Sequence, residues 1–405
     1  MKPILSMLSL TTALIAAGGA FAQDKNVKIG VLNDQSSLYA DITGAGSTLA
    51  AQMAVEDSGL TGKGWKIDVI SADHQNKPDV GSNLARQWLD VDKVDAIADV
   101  PTSSVALAVN NIVKEKNGVF LNSGAATSDL TTSQCSPNTV AWTYDTYMLA
   151  NGTGKAIVKS GGDSWFFLTA DYAFGHALER DTAAVVTATG GKVVGGVKHP
   201  LNTSDFSSFL LQAQSSKAKI IGLANAGGDT TNSIKQAAEF GIVSGGQKLA
   251  ALLLFIDDVN ALGLNVAQGL TFTETFYWDM NDQTRAFSKK FSERMKNKSM
   301  PSMVQAGVYG AVTHYLKAIE ALGGNPHDGT KVVAKMKDMP TDDPLFGKGY
   351  IRGDGRKIHP GYLFEVKKPS ESKYPWDYYK LIATIPAEEG FTPVDKNPCA
   401  LLKKS

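Results

Sequence analysis

The sequence predicts an α/β protein built from two doubly wound, parallel-sheet lobes. Three observations carry that prediction. The chain has 405 residues, too many for one ordinary core. Short apolar runs alternate steadily with amphipathic stretches, the rhythm of a parallel sheet with helices on both faces. The rhythm then restarts after Asp145. In order, "VKIGVL" (27–32) reads as a strand, followed by a Ser-rich loop and the helical stretch "GSTLAAQMAVED", in which Leu49, Met53 and Ala54 share a face. "WKIDVISAD" and the helix "VGSNLARQWLD" come next; then "VDAIADV" runs through "PTSS" into the helix "VALAVNNIVKEK". Beyond Asp145 the pattern is helix "LANGTGKAIVKS", strand "SWFFLTA", helix "HALERDTAAVVTATG", strand "KVVGGVKH", helix "DFSSFLLQAQSSK", strand "KIIGLAN", helix "TTNSIKQAAEFG", then strands "LAALLLF" and "LTFTETF". From about Asp282 two further helices follow, the second, "MVQAGVYGAVTHYLKAIEAL", of about five turns. Three short strands, "KGYIRGDGRK", "GYLFEVKK" and "DYYKLIATI", close the pattern, with Gly353-Asp354-Gly355 as a hairpin mark.

Composition narrows the function. Apolar residues at 43% and charged residues at 20% are those of an ordinary globular chain. Lys plus Arg and Asp plus Glu balance at 40 each, and no basic run exists, which argues against nucleic acid. Residues 1–22 read as a signal peptide: Lys2, an apolar stretch too short for the roughly 18 to 20 residues of a membrane span, and Ala20-Phe21-Ala22 before the cleavage point. No Cys follows that point to take a lipid. An exported protein results, and in an oxidising compartment the lone pair Cys135 and Cys399 is expected to form one disulfide.

The chemistry lies at the strand ends. "FLNSGAATSDLT" (120–131) leaves an apolar strand and sheds every large side chain. One strand earlier, Val94–Val100 runs into Pro101-Thr102-Ser103-Ser104. Ligands in open parallel sheets bind beyond the carboxyl ends of strands. Both junctions offer free backbone N–H groups, hydroxyls and the positive end of a helix dipole, the makings of a carboxylate site. Either alone reads as an ordinary Ser/Thr cap; two on successive strands favour a ligand. No nucleophile elbow, phosphate loop, His-Glu-x-x-His or Cys-x-x-Cys occurs, and the six His are scattered, so neither an enzyme, a metal site nor a cofactor is indicated.

The motif order resembles the periplasmic solute-binding proteins of the branched-chain amino acid (Leu/Ile/Val) type, the type I receptors of ATP-driven (ABC) importers. The resemblance runs from "KIGVLNDQSSLYADITGAGSTLAAQMAVED" through "PTSSVALAV", "SGAATSDLT", "DYAFGHALERD" and "SIKQAAEFGI" to "GVYGAVTHYLKAIEAL". It implies a three-strand hinge, with an N-terminal lobe of residues 24–144 and 276–347, a C-terminal lobe of 145–275 and 348–390, and a tail of 391–405. It also implies hinge closure on a ligand and docking of the closed, monomeric form on a membrane permease. Ser103, Ser104, Ala125 and Thr127 become candidates for the ligand carboxylate, with Thr102, Ser103 and Ser104 competing for the family serine. Phe174 in "DYAFG" stands where many members carry Tyr. Asn225 and Asp229 lie near the mouth of a third junction. Asp257 and Asp258 stand close to where amino-acid binders place an acid for the ammonium, with a solvated turn as the plain alternative. Tyr39 and Trp142 read either as ligand walls or as core. The expected ligand is a small carboxylate, an amino acid ahead of an aromatic or aliphatic acid; an exported sensor subunit or an enzyme of unrecognised type are the other classes.

Overall fold

The computed structural model describes residues 24–402, so the expected leader and its cleavage site lie outside the described residues. β1 (Asn26–Asn33), β2 (Lys66–Asp73), β3 (Ala96–Asp99), β4 (Val119–Asn122) and β5 (Thr139–Ala141) pair in parallel in the order β2-β1-β3-β4-β5. β3, β4 and β5 are buried along their whole length, which is why the stretches holding β3 and β4 read as short, mainly apolar runs instead of alternating ones. Helices flank both faces. Pro78 opens one at its first turn, where its missing N–H costs nothing, and Gly59 at φ 67° closes another.

The second lobe repeats the plan. β6 (Ser164–Ala170), β7 (Lys192–His199), β8 (Ile220–Ala224) and β9 (Lys248–Ala251) form a parallel sheet in the order β7-β6-β8-β9. The sequence reading runs directly from β9 to the next strand; the structure inserts short helices at Ile256–Leu262 and Leu264–Ala267 before β10 (Thr271–Glu274). β10 leaves the parallel sheet altogether. It joins β14 (Gly361–Val366) and β15 (Tyr379–Ile385) in an antiparallel sheet.

Between the two lies a small sheet of β11 (Thr341–Asp343), β12 (Gly347–Ile351) and β13 (Lys357–Ile358). Its turn is the Gly353-Asp354-Gly355 hairpin, with Gly355 at φ 88°. β13 sits beside β5, since Ala141 N donates to Gly355 O at 2.9 Å and Ala141 bridges Arg356. The pairing therefore attaches residues 347–358 to the first sheet, and we place the third crossing between Ile358 and Gly361 instead of at 347/348.

Helix Met303–Ala321 positions the cleft. Its capping box has Ser302 Oγ accepting from Gln305 N at 3.2 Å while Gln305 Oε1 accepts from Ser302 N at 3.0 Å. The same two side chains reach across to the loop after β1: Ser302 Oγ donates to Ile42 O at 2.7 Å, and Gln305 Nε2 to Thr43 O at 3.1 Å. A helix start thus fixes the first wall of the site.

Candidate ligand site between the lobes

Each sheet order reverses beside its first strand, and the two reversal points face each other. A small cavity lies there. Its walls come from strand carboxyl ends on both sides: Tyr39, Pro101, Gly124, Ala126 and Tyr144 from one lobe, Tyr172, Phe174, Ala226, Leu253 and Phe255 from the other. Ile42 and Val304 complete it. That is where an open α/β sheet binds ligands.

The first lobe's junctions explain the small residues. β3 ends with Asp99 at φ 77° and Val100 at φ 54°, two consecutive side-chain-bearing residues in the left-handed region. Such a bend is costly for a β-branched residue and persists only where its surroundings hold it. Here the buried Asp99 carboxylate does so, accepting from Asn33 Nδ2 at 3.2 Å and Ser123 Oγ at 3.2 Å, which ties the ends of β1, β3 and β4 together. Burial pushes the Asp99 carboxyl up to about 6. The bend brings Pro101 against Gly124, where a Cβ would lie 2.7 Å from both Asp99 Oδ1 and Pro101 Cα. Only glycine fits that approach.

The two expected anion-binding junctions meet: Thr127 N donates to Ser103 Oγ at 3.3 Å, both residues being buried. Ser103 opens helix Ser103–Lys116, whose first-turn amides have no carbonyl within the helix to donate to. Thr127 Oγ1 is partly spent, donating to Asp129 Oδ2 at 3.1 Å and capping the turn that follows. Neither hydroxyl lines the cavity itself, which Gly124 and Ala126 reach instead. Ala125 faces an apolar cluster with Val100 and Leu130, and its N–H is held by Asn122 Oδ1 at 3.0 Å. Ser104 is half-buried and lies off the cavity wall.

Across the cleft, Tyr172 supplies what Phe174 lacks. Both line the cavity, and the Tyr172 hydroxyl lies 2.6 Å from that of Tyr39, joining the lobes. Gly227 makes a second close approach: at φ 57°, its Cβ would lie 2.8 Å from Leu38 O. A third contact sits outside the cavity, where Arg180 Nη1 meets Asp129 Oδ1 at 3.1 Å and Ser128 Oγ donates to Asp181 Oδ2 at 2.8 Å. The structure is a closed one.

Beside the apolar chamber, and sharing Ile42 with it, a second and larger cavity opens between the lobes. Three carboxylates line it: Asp41 from the first lobe, Asp257 and Asp258 from the second. Asp258 Oδ2 accepts from Phe255 N at 3.0 Å, and burial pushes this carboxyl up to about 7. Asp257 differs. Its Oδ2 is buried with no hydrogen-bond partner among the described residues, and burial, then the neighbouring Asp258 and Asp41, hold its proton well above the usual carboxylate range. No Lys or Arg lines either cavity.

Three sequence candidates lie away from the chamber. Trp142 is core to the first lobe: its Nε1 donates to Asp343 Oδ2 at 3.0 Å, and the buried Lys357 ammonium sits 4.5 Å from its ring centre. Asn225 Oδ1 accepts from Thr230 Oγ1 at 2.8 Å, with its Nδ2 3.2 Å from His199. Asp229 caps a loop, accepting from Asn202 N at 3.1 Å and Thr203 N at 2.8 Å. Each satisfies a partner in its own lobe. Conversely, sequence reasoning passed over Tyr172, Leu253 and Phe255 as walls; Tyr172 stood in the quoted "DYAFG", whereas nothing in "LLLF" distinguishes cavity from core. The expected bond between Cys135 and Cys399 is present. Among the described residues no helix is long and apolar enough to cross a membrane, and no group of His, Cys, Asp or Glu has the geometry of a metal site.

Two parallel-sheet lobes closed over a chamber at their facing strand ends define a receptor that encloses a small solute. Comparison with known proteins gives the family. Residues 26–373 match the periplasmic binding protein family. A solved periplasmic binding protein from Burkholderia mallei is 53% identical, with a TM-score of 0.89 over 94% of this chain and 100% of that one. A branched chain amino acid ABC transporter periplasmic ligand-binding protein from Burkholderia xenovorans LB400 is 40% identical, with a TM-score of 0.82 over 93% of this chain and 100% of that one. Leu/Ile/Val-binding protein homolog 6 of Brucella melitensis is 27% identical over 94% of this chain and 96% of its own. The chain belongs to the periplasmic binding protein family, as a type I receptor of the branched-chain amino acid class.

Proposed function

We propose that this protein is the periplasmic receptor of an ABC importer and captures a free amino acid, delivering it, lobes closed, to a membrane permease. The carboxylate lies at the Gly124 and Ala126 wall, toward the unpaired first-turn amides of helix Ser103–Lys116. The ammonium lies toward Asp257, and the side chain occupies the aromatic chamber. The observation that carries the reading is Asp257, a carboxylate with a buried, unpartnered oxygen on the wall of the interlobe cavity. Such a group is costly unless a cation meets it, and an ammonium in the cleft supplies one. A second reading, an aromatic carboxylic acid, is favoured by the chamber itself, where Tyr39, Tyr144, Tyr172, Phe174 and Phe255 offer flat walls and no ammonium partner.

Mass spectrometry of molecules released from the purified protein, followed by calorimetry with amino acids and their deaminated analogues, separates the two. On the amino-acid reading the analogues bind weakly. Asp257→Asn then loses about 3 kcal/mol or more, over a hundredfold in affinity, because the ammonium is left unpaired. Tighter binding of the analogues, or indifference to Asp257→Asn, would sink it in favour of the acid.

A further inference from the structure

The three hinge crossings are joined by a fourth connection, made by the C-terminal tail. β15 and the turn Ala387–Gly390 still belong to the second lobe: Asn151 Nδ2 donates to Glu389 O at 2.7 Å, and Gly390 packs on Met148. At Phe391 the chain turns back. The buried Phe391 ring lies 4.8 Å below the Arg356 guanidinium and 5.6 Å from the His359 ring. Those two residues are bonded to the first crossing, with Arg356 Nη1 donating to Tyr144 O at 2.8 Å and His359 Nε2 lying 2.7 Å from Thr143 O. Arg356 Nε and Nη2 are buried with no hydrogen-bond partner among the described residues, so the Phe391 ring face is what meets the rest of that cation. Farther along, Asn397 Nδ2 donates to Thr131 O at 3.0 Å and Asp354 Oδ2 at 2.9 Å, and Cys399 is disulfide-bonded to Cys135. All of these later anchors lie on the first lobe.

We propose that residues 391–399 form a covalently anchored strap over the hinge that limits how far the lobes open. Opening rotates the second lobe about the crossings; Phe391 packs on His359 of the third and on Arg356 beside it, and these two residues are bonded to the first. One end of the strap follows that lobe through Gly390. The other cannot, because Cys399 is fixed to Cys135. Beyond the slack of the tail, further opening pulls Phe391 off Arg356: Nη1 keeps Tyr144 O and Asp145, but the buried Nε and Nη2 lose the ring face that meets them, which is unfavourable. The disulfide turns a packed tail into a mechanical stop, and this holds whatever solute the chamber takes.

The test is X-ray scattering and hydrogen exchange on ligand-free protein, comparing the wild type with Cys135→Ser/Cys399→Ser and with Phe391→Ala. A compact chain of this size has a radius of gyration of roughly 21 Å. The strap predicts that both variants expand by roughly 5% and that amides of Thr143–Thr146 exchange at least about tenfold faster. A clamp that merely holds the tail down would lower the melting temperature and leave scattering and hinge exchange at wild-type values, and that result overturns the proposal. Should the cysteine variant fail to fold, Phe391→Ala keeps the disulfide and decides alone: unchanged scattering and exchange in it overturn the strap equally.

Discussion

The hydroxyl pair across the cleft offers a quantitative check on the closed geometry. Tyr39 and Tyr172 lie on opposite lobes with their oxygens 2.6 Å apart, Tyr39 being buried. When the lobes part, each hydroxyl returns to water. Replacing one by Phe keeps both rings in the cavity wall and leaves the other hydroxyl facing an aromatic edge, without its partner, only in the closed state. A typical hydrogen bond contributes about 1 kcal/mol net, and a buried unpaired group costs about 1–3 kcal/mol. Tyr39→Phe and Tyr172→Phe should therefore each weaken ligand binding by about 1–2 kcal/mol, roughly 5- to 30-fold. The double variant has no orphan and should bind within about fivefold of the wild type, better than the sum of the singles by about 1 kcal/mol or more. Calorimetry with the solute recovered from the purified protein measures all four corners of the cycle. Strictly additive losses, or singles indistinguishable from the wild type, would refute the idea that this pair forms on closure.

Two further outcomes follow from the site's charges. Asp99, at about 6 in the folded protein against 3.8 for a free aspartate, binds its proton more tightly folded than unfolded, so its ionisation costs nothing below pH 4, grows between pH 4 and 6 and is complete above, at about 3 kcal/mol. Denaturant titrations of the wild type and Asp99→Asn should thus show the variant gaining stability relative to the wild type as pH rises from 4 to 7; a difference that is flat with pH contradicts the burial argument. Arg180 and Asp129 pair across the lobes at 3.1 Å but are partly exposed, so Arg180→Ala should weaken closure by no more than about 1 kcal/mol, an effect that shrinks in 1 M salt. A loss that persists at high salt would mean that Arg180 acts through packing.

The architecture was legible because both lobes are written in one repeating code, apolar run then amphipathic stretch, and the restart after Asp145 marks the first crossing. β10 was harder. "LTFTETF" reads as a strand in any sheet, and only its pairing with β14 puts it outside the parallel one. The helix Ile256–Leu262 was hidden for a related reason: "LAALLLF" is apolar throughout, so nothing in it shows where β9 stops at Ala251. The site divides the same way. Gly124 and its neighbours announced a close backbone approach, because the removal of side chains is itself a signal. Trp142, Asn225 and Asp229 bond within their own lobes, because a residue near a strand end can turn either into the cleft or back into its own lobe, and local sequence does not record which. Tyr172 is the residue before helix Ala173–Ala188 and Phe174 lies in its first turn, and both face the chamber from that helix start.

Charge bears on which solute the site suits. A lone carboxylic acid would bring a net negative charge into a chamber with no Lys or Arg on its walls and three aspartates along the adjoining mouth. The positive end of one helix favours an anion, but it must also outweigh those aspartates. A zwitterion avoids the conflict: its carboxylate meets the helix end while its ammonium meets the aspartates, and the bound complex gains no net charge. Binding would then lower the proton affinity of Asp257 and Asp258, since an ammonium favours their ionised forms, whereas a lone anion would raise it. Calorimetry in buffers of different ionisation enthalpy reads that sign directly near pH 7. Proton release supports the amino acid, and proton uptake the carboxylic acid.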